Sequence, residues 1–226
     1  MSGVENVSGG RVFSPTERIT MPAYVREIID RLNSRGFSAY AVGGAVRDCA
    51  LGLSPDDWDV ASSALPEEIE STFSDFRVIE TGIKHGTVSV IADGNAVEIT
   101  TFRKESGYSD NRHPDAVEFV GDIAEDLRRR DFTVNSLAYN EKDGLIDLYG
   151  GLSDIQNKIV RAVGNPEERF SEDSLRILRA VRFSSKLGFS IEKQTLAAAE
   201  KLKSRLKNVS AERIFSELVK TLCGND

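Results

Sequence analysis

Two cysteines, two histidines and one tryptophan in 226 residues leave this chain short of the side chains on which several chemistries depend. Cys49 and Cys223 stand far apart and in no C-x-x-C arrangement, which argues against a disulfide framework and against thiolate zinc. With only His85 and His113, a zinc site or a Ser-His-Asp triad is poorly supplied, and each histidine reads as a local hydrogen-bonding residue. No apolar run approaches the ~20 residues needed to span a bilayer. Met1 to Pro15 has no basic stretch followed by an apolar one, so no export signal is expected and the cytoplasm is the expected location.

What is present suits a chain with a real core. Hydrophobic residues make up 40% of the sequence, enough for one large domain or two small ones. The formal net charge of −7 runs against a nucleic-acid partner until its distribution is read. From Arg161 onward there are 13 Lys+Arg against 9 Asp+Glu, whereas Met1 to Val160 carries 16 against 27. A local basic face governs attraction to phosphate more than the total does, so RNA is not excluded.

Along the chain, residues 1–20 are rich in Ser, Gly and Thr without periodicity and are expected to be flexible. Val25, Ile28, Ile29 and Leu32 keep helical spacing after Pro22, and Gly36 ends the run. Ala39 to Val42 reads as a buried strand entering a glycine turn, with a helix from Val46 to Leu51. Thr87 to Ile91 and Ala96 to Phe102 read as strands about an Asp93-Gly94 turn, with a helix at Pro66 to Phe73. Beyond about residue 160 the character is helical: Leu175, Leu178 and Val181 are expected to form a buried stripe, with further helices at Thr195 to Leu206 and Ala211 to Leu222. The expected fold is α+β: a mixed-sheet head over 21–160 and an all-α neck over 161–226.

The chemistry concentrates at a few places. In a strand, Asp57 and Asp59 would project from one face and Trp58 from the other, giving two hard oxygen ligands suited to Mg²⁺. The same residues also suit a polar turn. Gly43-Gly44 after a strand lets backbone N–H groups approach phosphate, with Arg47 as a charged fork, although an ordinary tight turn has the same look. Glu98, flanked by Val97 and Ile99, adds a third carboxylate on a strand. Asp173, Arg176, Arg179 and Arg182 recur every three residues, a stripe that either is solvated or, since aligned arginines repel one another, awaits an anion.

Five motifs in order resemble the class II CCA-adding tRNA nucleotidyltransferases: Gly43-Gly44-Ala45-Val46-Arg47-Asp48, Asp57-Trp58-Asp59, Glu98-Ile99-Thr100-Thr101-Phe102-Arg103, Arg129-Arg130-Asp131-Phe132-Thr133-Val134-Asn135 and Glu172-Asp173-Ser174-Leu175-Arg176. The resemblance runs from about Ala39 to Leu222 and implies a polymerase-β-like head followed by a nucleotide-selecting neck. It implies Asp57 and Asp59 as metal ligands for Mg²⁺ and Glu98 as a third acidic residue assisting the primer 3′-hydroxyl. Gly44 and Arg47 would contact the triphosphate. Arg130 and Asp131 would lie about the sugar and phosphates, with Asn135 nearby. Asp173 and Arg176 would read the base edge, with Arg179 and Arg182 beside them. The implied partners are the tRNA 3′ end, CTP and ATP, with no membrane; the sequence sets no oligomeric state.

Tyr108 to Pro114 resembles the flexible loop that members of that family use when changing from C to A addition, which favours addition of all three nucleotides or of A alone. Ser210 to Ile214 resembles the last neck motif and reads as a helix start bracing the site. Family members continue into helical body and tail regions, so the resemblance implies a catalytic fragment or a short form, with tRNA affinity most affected. Two other functions fit the same residues: an A-adding enzyme or poly(A) polymerase, and a non-catalytic module that binds nucleotide or RNA.

Overall fold

The computed structural model describes residues 18–82, 86–108 and 114–223. The segments 1–17, 83–85, 109–113 and 224–226 lie outside it, and with them His85, His113 and most of the loop expected between Tyr108 and Pro114. The flexibility expected of residues 1–20 does not extend to Ile19, which is 3% exposed and part of the core.

The helix α1 (Ala23–Ser34) buries Val25, Ile28, Ile29 and Leu32, the four residues whose spacing predicts it. β1 (Ala39–Val42) is buried throughout and leads through Gly43 into α2 (Gly44–Ala50). After β2 (Asp59–Ser62), α3 (Pro66–Thr72) opens on a proline, and Glu68 Oε2 accepts the Leu65 N–H at 2.7 Å, satisfying a donor at the helix start. Strands β3 (Arg77–Gly82), β4 (Thr87–Ala92) and β5 (Asn95–Thr101) follow, the last two joined where Asp93 and Gly94 both take positive φ, as a type I′ turn requires. A hairpin of β6 (Arg103–Ser106) and β7 (Ala116–Phe119) stands apart from the main sheet. Then come α4 (Ile123–Arg128), β8 (Leu137–Asn140), β9 (Gly144–Asp147), α5 (Gly151–Asn157) and β10 (Ile159–Val160).

The main sheet has the order β3-β4-β5-β2-β1-β8-β9, antiparallel except for the parallel pair β2 and β5. The remaining elements are α6 (Pro166–Glu172), α7 (Leu175–Leu187), β11 (Ser190–Ile191), α8 (Lys193–Leu202) and α9 (Ala211–Leu222). The backbone ties the two parts: Thr133 N–H donates to Arg161 O at 2.9 Å and Val163 N–H to Asp131 O at 3.0 Å. One apolar core runs from α1 and the sheet through Phe132 to Phe170, Ile177, Phe183 and Ala198.

Asp173 leaves helical dihedrals and ends α6, and its Oδ1 accepts the Leu175 N–H at 3.0 Å where α7 begins. Two helical expectations need correction. The stripe Leu175, Leu178, Val181 is not the buried face: Val181 is 49% exposed, while Leu175, Ile177, Ala180 and Phe183 are buried. Three-residue steps drift by about 60° each around a 3.6-residue helix, which carries Val181 out of the interface. Finally, the helix expected to reach Leu206 stops at Leu202 and tightens into a 3₁₀ segment, Lys203–Asn208, with no buried residue to hold it as an α-helix.

Gly151 shows how closely the elements meet. A Cβ added there would lie 2.3 Å from the Thr133 carbonyl oxygen and 3.0 Å from Leu137 Cδ2. Gly151→Ala is therefore expected to cost about 2–3 kcal/mol through forced backbone displacement. Urea unfolding midpoints measure this, and a variant as stable as the parent would contradict the packing.

Candidate active site

The acidic end of the site is set by strand register. Asp57 is not in a strand, contrary to expectation: β2 begins at Asp59, whose partner on β1 is Val42, the last residue before the chain turns at Gly43. Asp57 thus has no ladder partner among the described residues. Exposure still alternates, with Trp58 and Val60 buried and both carboxylates open to solvent. The parallel ladder places Asp59 beside Glu98 on the neighbouring strand. Glu98 is exposed between buried Val97 and Ile99, as alternation predicts. Partial desolvation at the strand ends, though the side chain keeps access to solvent, followed by repulsion from Glu98, raises the Asp59 carboxyl above its usual range; Arg130 opposes the rise and Asp57 adds to it.

Beside these acids the glycine turn brings backbone and cation together. Gly43 takes φ +72°, and a Cβ there would stand 3.1 Å from Arg130 Nη1. The positive φ is what calls for glycine, since the guanidinium end can shift by a few tenths of an ångström. Arg130 donates from Nη2 to Asp126 Oδ2 at 3.0 Å, while its buried Nε has no hydrogen-bond partner among the described residues. Arg47 is turned inward, 5% exposed, donating to Asp48 Oδ1 and to Asn135 Oδ1 at 2.6 Å.

The third side comes from α6 and α7. Asp131 is buried; its Oδ1 accepts the Phe132 N–H and an Asn135 N–H, and its Oδ2 accepts Arg179 Nε at 2.8 Å and Nη2 at 2.6 Å. Burial alone would raise this carboxyl, but Arg179, with Arg176 and Asn135, outweighs it and brings the pKa to about 2. Arg176 donates to Glu172 Oε2, Arg169 O and Arg129 O. Arg182 donates to Glu217 Oε2 at 2.7 Å. The aligned arginines therefore do not await an anion to relieve repulsion; each already faces a protein carboxylate.

These elements enclose a cavity of about 480 Å³, within the range of ligand sites. Six arginines line it (Arg47, Arg129, Arg130, Arg176, Arg179, Arg213) against three aspartates (Asp59, Asp131, Asp173), an excess that fits an anionic ligand. Gly44 lines it too, whereas Asp57, Glu98 and Arg182 do not. Three lining residues went unassigned in the sequence. Arg129 is fixed by Asp126 and Glu105 at 2.8 and 3.2 Å. Phe183 gathers the guanidinium groups of Arg47, Arg179 and Arg182 over its ring at 5.4, 5.3 and 4.4 Å. Arg213 pairs with Asp173. A cue existed for each: Arg129 in a run of three arginines, Phe183 seven residues after Arg176, and Arg213 in the segment read as a brace.

Among the described residues no three His, Cys, Asp or Glu side chains form a ready metal cage. Two adjacent carboxylates nonetheless match how Mg²⁺ is usually held, by one or two carboxylates with substrate phosphates completing the shell. No described helix is long and apolar enough to cross a membrane.

A mixed sheet with a glycine turn, acidic strand ends and a neighbouring helical face of arginines is the architecture of a polymerase-β-like nucleotidyltransferase. The chain belongs to the Poly A polymerase head domain family, whose profile matches residues 39–161. Residues 188–226 match a second family, "Probable RNA and SrmB- binding site of polymerase A". A CCA-adding enzyme of Ligilactobacillus salivarius is 53% identical over 199 residues, covering 88% of this chain and 49% of that protein. The crystal structure of Bacillus stearothermophilus CCA-adding enzyme in complex with CTP aligns with TM-score 0.80 at 44% identity, covering 88% and 48% of the two chains. Thermotoga maritima CCA-adding enzyme complexed with tRNA aligns with TM-score 0.73 at 27% identity, covering 89% and 47%. The chain thus spans about half the length of the relatives it matches.

Proposed function

We propose that this chain is the head (residues 21–160) and neck (161–226) of an enzyme that adds C, C and A to the tRNA 3′ end from CTP and ATP, in the cytoplasm. The observation that carries the reading is one cavity with an arginine excess whose lining brings Asp59 together with Asp173 and Arg176. Its resemblance to the CTP-bound Bacillus stearothermophilus enzyme supports CTP as a ligand, and that to the tRNA-bound Thermotoga maritima enzyme supports the primer.

In the proposed reaction the primer 3′-oxygen bonds to the α-phosphorus of the nucleotide, the bond from that phosphorus to the bridging α–β oxygen breaks, and pyrophosphate leaves. Asp57 and Asp59 would hold Mg²⁺, which when bound stabilises charge on the attacking and leaving oxygens. Glu98, beside Asp59 across the parallel ladder, would help take the proton from the primer hydroxyl. Gly44, Arg47 and Arg130 would face the triphosphate, with Asp131 keeping Arg179 in place and Arg182 supporting the stripe from outside the cavity.

Asp173 and Arg176 would read the base. Cytosine and adenine present an exocyclic amino group, which an aspartate accepts, where uracil and guanine present a carbonyl. Asp173→Ala and Arg176→Ala are each expected to blunt selection of CTP and ATP over UTP and GTP by ~1–3 kcal/mol, roughly 5- to 150-fold. Triphosphate affinity should fall less. The test is incorporation of the four labelled nucleotides into tRNA lacking its 3′ end and into tRNA ending in CC. Selectivity that survives both substitutions would make the stripe a phosphate clamp; A addition without C addition would assign the chain to A-adding or poly(A) polymerases; no incorporation, with nucleotide binding intact, would favour a binding module.

A further inference from the structure

The attachment of α9 to the rest of the molecule is unusual for an amphipathic helix. Its apolar residues Phe215, Leu218, Val219 and Leu222 are exposed, and the one residue it buries is Glu217, 4% exposed. What α9 turns toward α7 is charge: Arg213 and Glu217, one turn apart on the same face. Glu217 takes Arg182 at 2.7 Å and approaches Arg179 at 3.9 Å. Arg213 grips Asp173 with two nitrogens, Nη2 to Oδ2 at 2.8 Å and Nη1 to Oδ1 at 3.3 Å.

The position of Arg213 is costly by itself. It stands in the first turn of α9, where the helix dipole disfavours a cation, and it is largely withdrawn from water. A carboxylate gripped by two nitrogens of one guanidinium cannot rotate freely, because both contacts lie in the plane of the fork. Oδ1 of Asp173 also accepts the Leu175 N–H, so both of its lone pairs are used, whereas Oδ2 accepts, among the described residues, from Arg213 alone. One acceptor direction of Oδ2 is left for a ligand.

We propose that Arg213 is a positioning residue for nucleotide selection: by holding the Asp173 carboxylate in one plane from α9, it points the remaining Oδ2 lone pair at the amino group of an incoming cytosine or adenine. The inference rests on the base-reading role proposed above for Asp173. Arg213 need not touch the base; its effect passes through Asp173, and α9 becomes part of the selection device.

Equilibrium binding of radiolabelled CTP and UTP to the 226-residue chain tests this, with Arg213→Ala, Arg213→Lys, Asp173→Ala and the Asp173→Ala/Arg213→Ala double variant, each checked for its thermal midpoint. The expected result is a loss of about tenfold in the CTP-to-UTP preference in Arg213→Ala, and no further loss when Asp173 is already alanine. Arg213→Lys, which keeps the charge without the two-nitrogen grip, should resemble Arg213→Ala, and it carries the test if the alanine variant does not fold. Equal weakening of CTP and UTP, multiplying effects in the double variant, or full preference in Arg213→Lys would each overturn the inference while the base-reading role stands. If Asp173→Ala kept the parent preference, the base-reading role would fall and this inference with it.

Discussion

Alanine at Asp59 is expected to lower nucleotide transfer by about a thousandfold or more, the scale on which loss of charge stabilisation at a reacting phosphate is felt, while the fold keeps or gains stability. Both halves come from one arrangement. The side chain lies at the start of β2, beside Glu98 across the parallel ladder, and keeps access to solvent. Its charge is disfavoured there by partial burial and by its acidic neighbours. Removing that charge should therefore relieve the fold while removing a proposed metal ligand. Asp57→Ala should lose activity similarly with little change in stability, because Asp57 stands outside the strand and is exposed. Single-turnover incorporation of labelled CMP at saturating Mg²⁺, paired with thermal midpoints, provides both readouts. Near-parent turnover in either variant would remove that residue from the proposed metal site, and an Asp59→Ala protein that loses activity only by unfolding would show the carboxylate to be structural.

Local periodicity made part of this site legible. Val97 and Ile99 bracketing Glu98 announce a strand with one polar face, and the strand does present Glu98 outward. The glycine turn was readable because a strand ending at Val42 leaves Gly43 to take a positive φ. Asp57 shows the limit: alternation suggested a strand from Asp57 onward, but a strand residue needs a ladder partner, and β1 ends at Val42, opposite Asp59. The charge pairs distant in sequence were beyond any spacing rule. Arg179 finds Asp131 from 48 residues away and Arg213 finds Asp173 from 40. Only the packing of α7 against the head, and of α9 against α7, makes those meetings. The arginine stripe was visible as a stripe, and Glu172 four residues before Arg176 was a readable i,i+4 partner, whereas compensation by Asp131 and Glu217 was not readable.

Asp131→Asn is expected to destabilise the fold more than alanine at Asp57 or Asp59 does, and its effect should depend on pH in a defined direction. The carboxylate is buried where the head meets the neck, and its backbone carbonyl accepts the Val163 N–H across that seam. Asparagine keeps the volume and one carbonyl acceptor but leaves Arg179 without its principal counter-charge. Breaking a buried pair by removing one partner costs about 3–5 kcal/mol. Arg179 is a third exposed and has Glu217 at 3.9 Å, so a smaller cost, about 2–3 kcal/mol, is expected. The acid dependence follows from a carboxyl at about 2 in the fold against 3.8 unfolded. A depressed pKa contributes stability that is fully present above the unfolded value and is lost as pH falls toward the folded one. That contribution is about 2 kcal/mol at neutral pH. The parent should therefore exceed Asp131→Asn in urea midpoint at pH 7, and the gap should narrow between about pH 4 and pH 2 as the parent's own carboxylate protonates. Equal midpoints at pH 7 would show that Arg179 has settled on Glu217 instead, and a gap that persists undiminished at pH 3 would place the cost in lost packing rather than in lost charge.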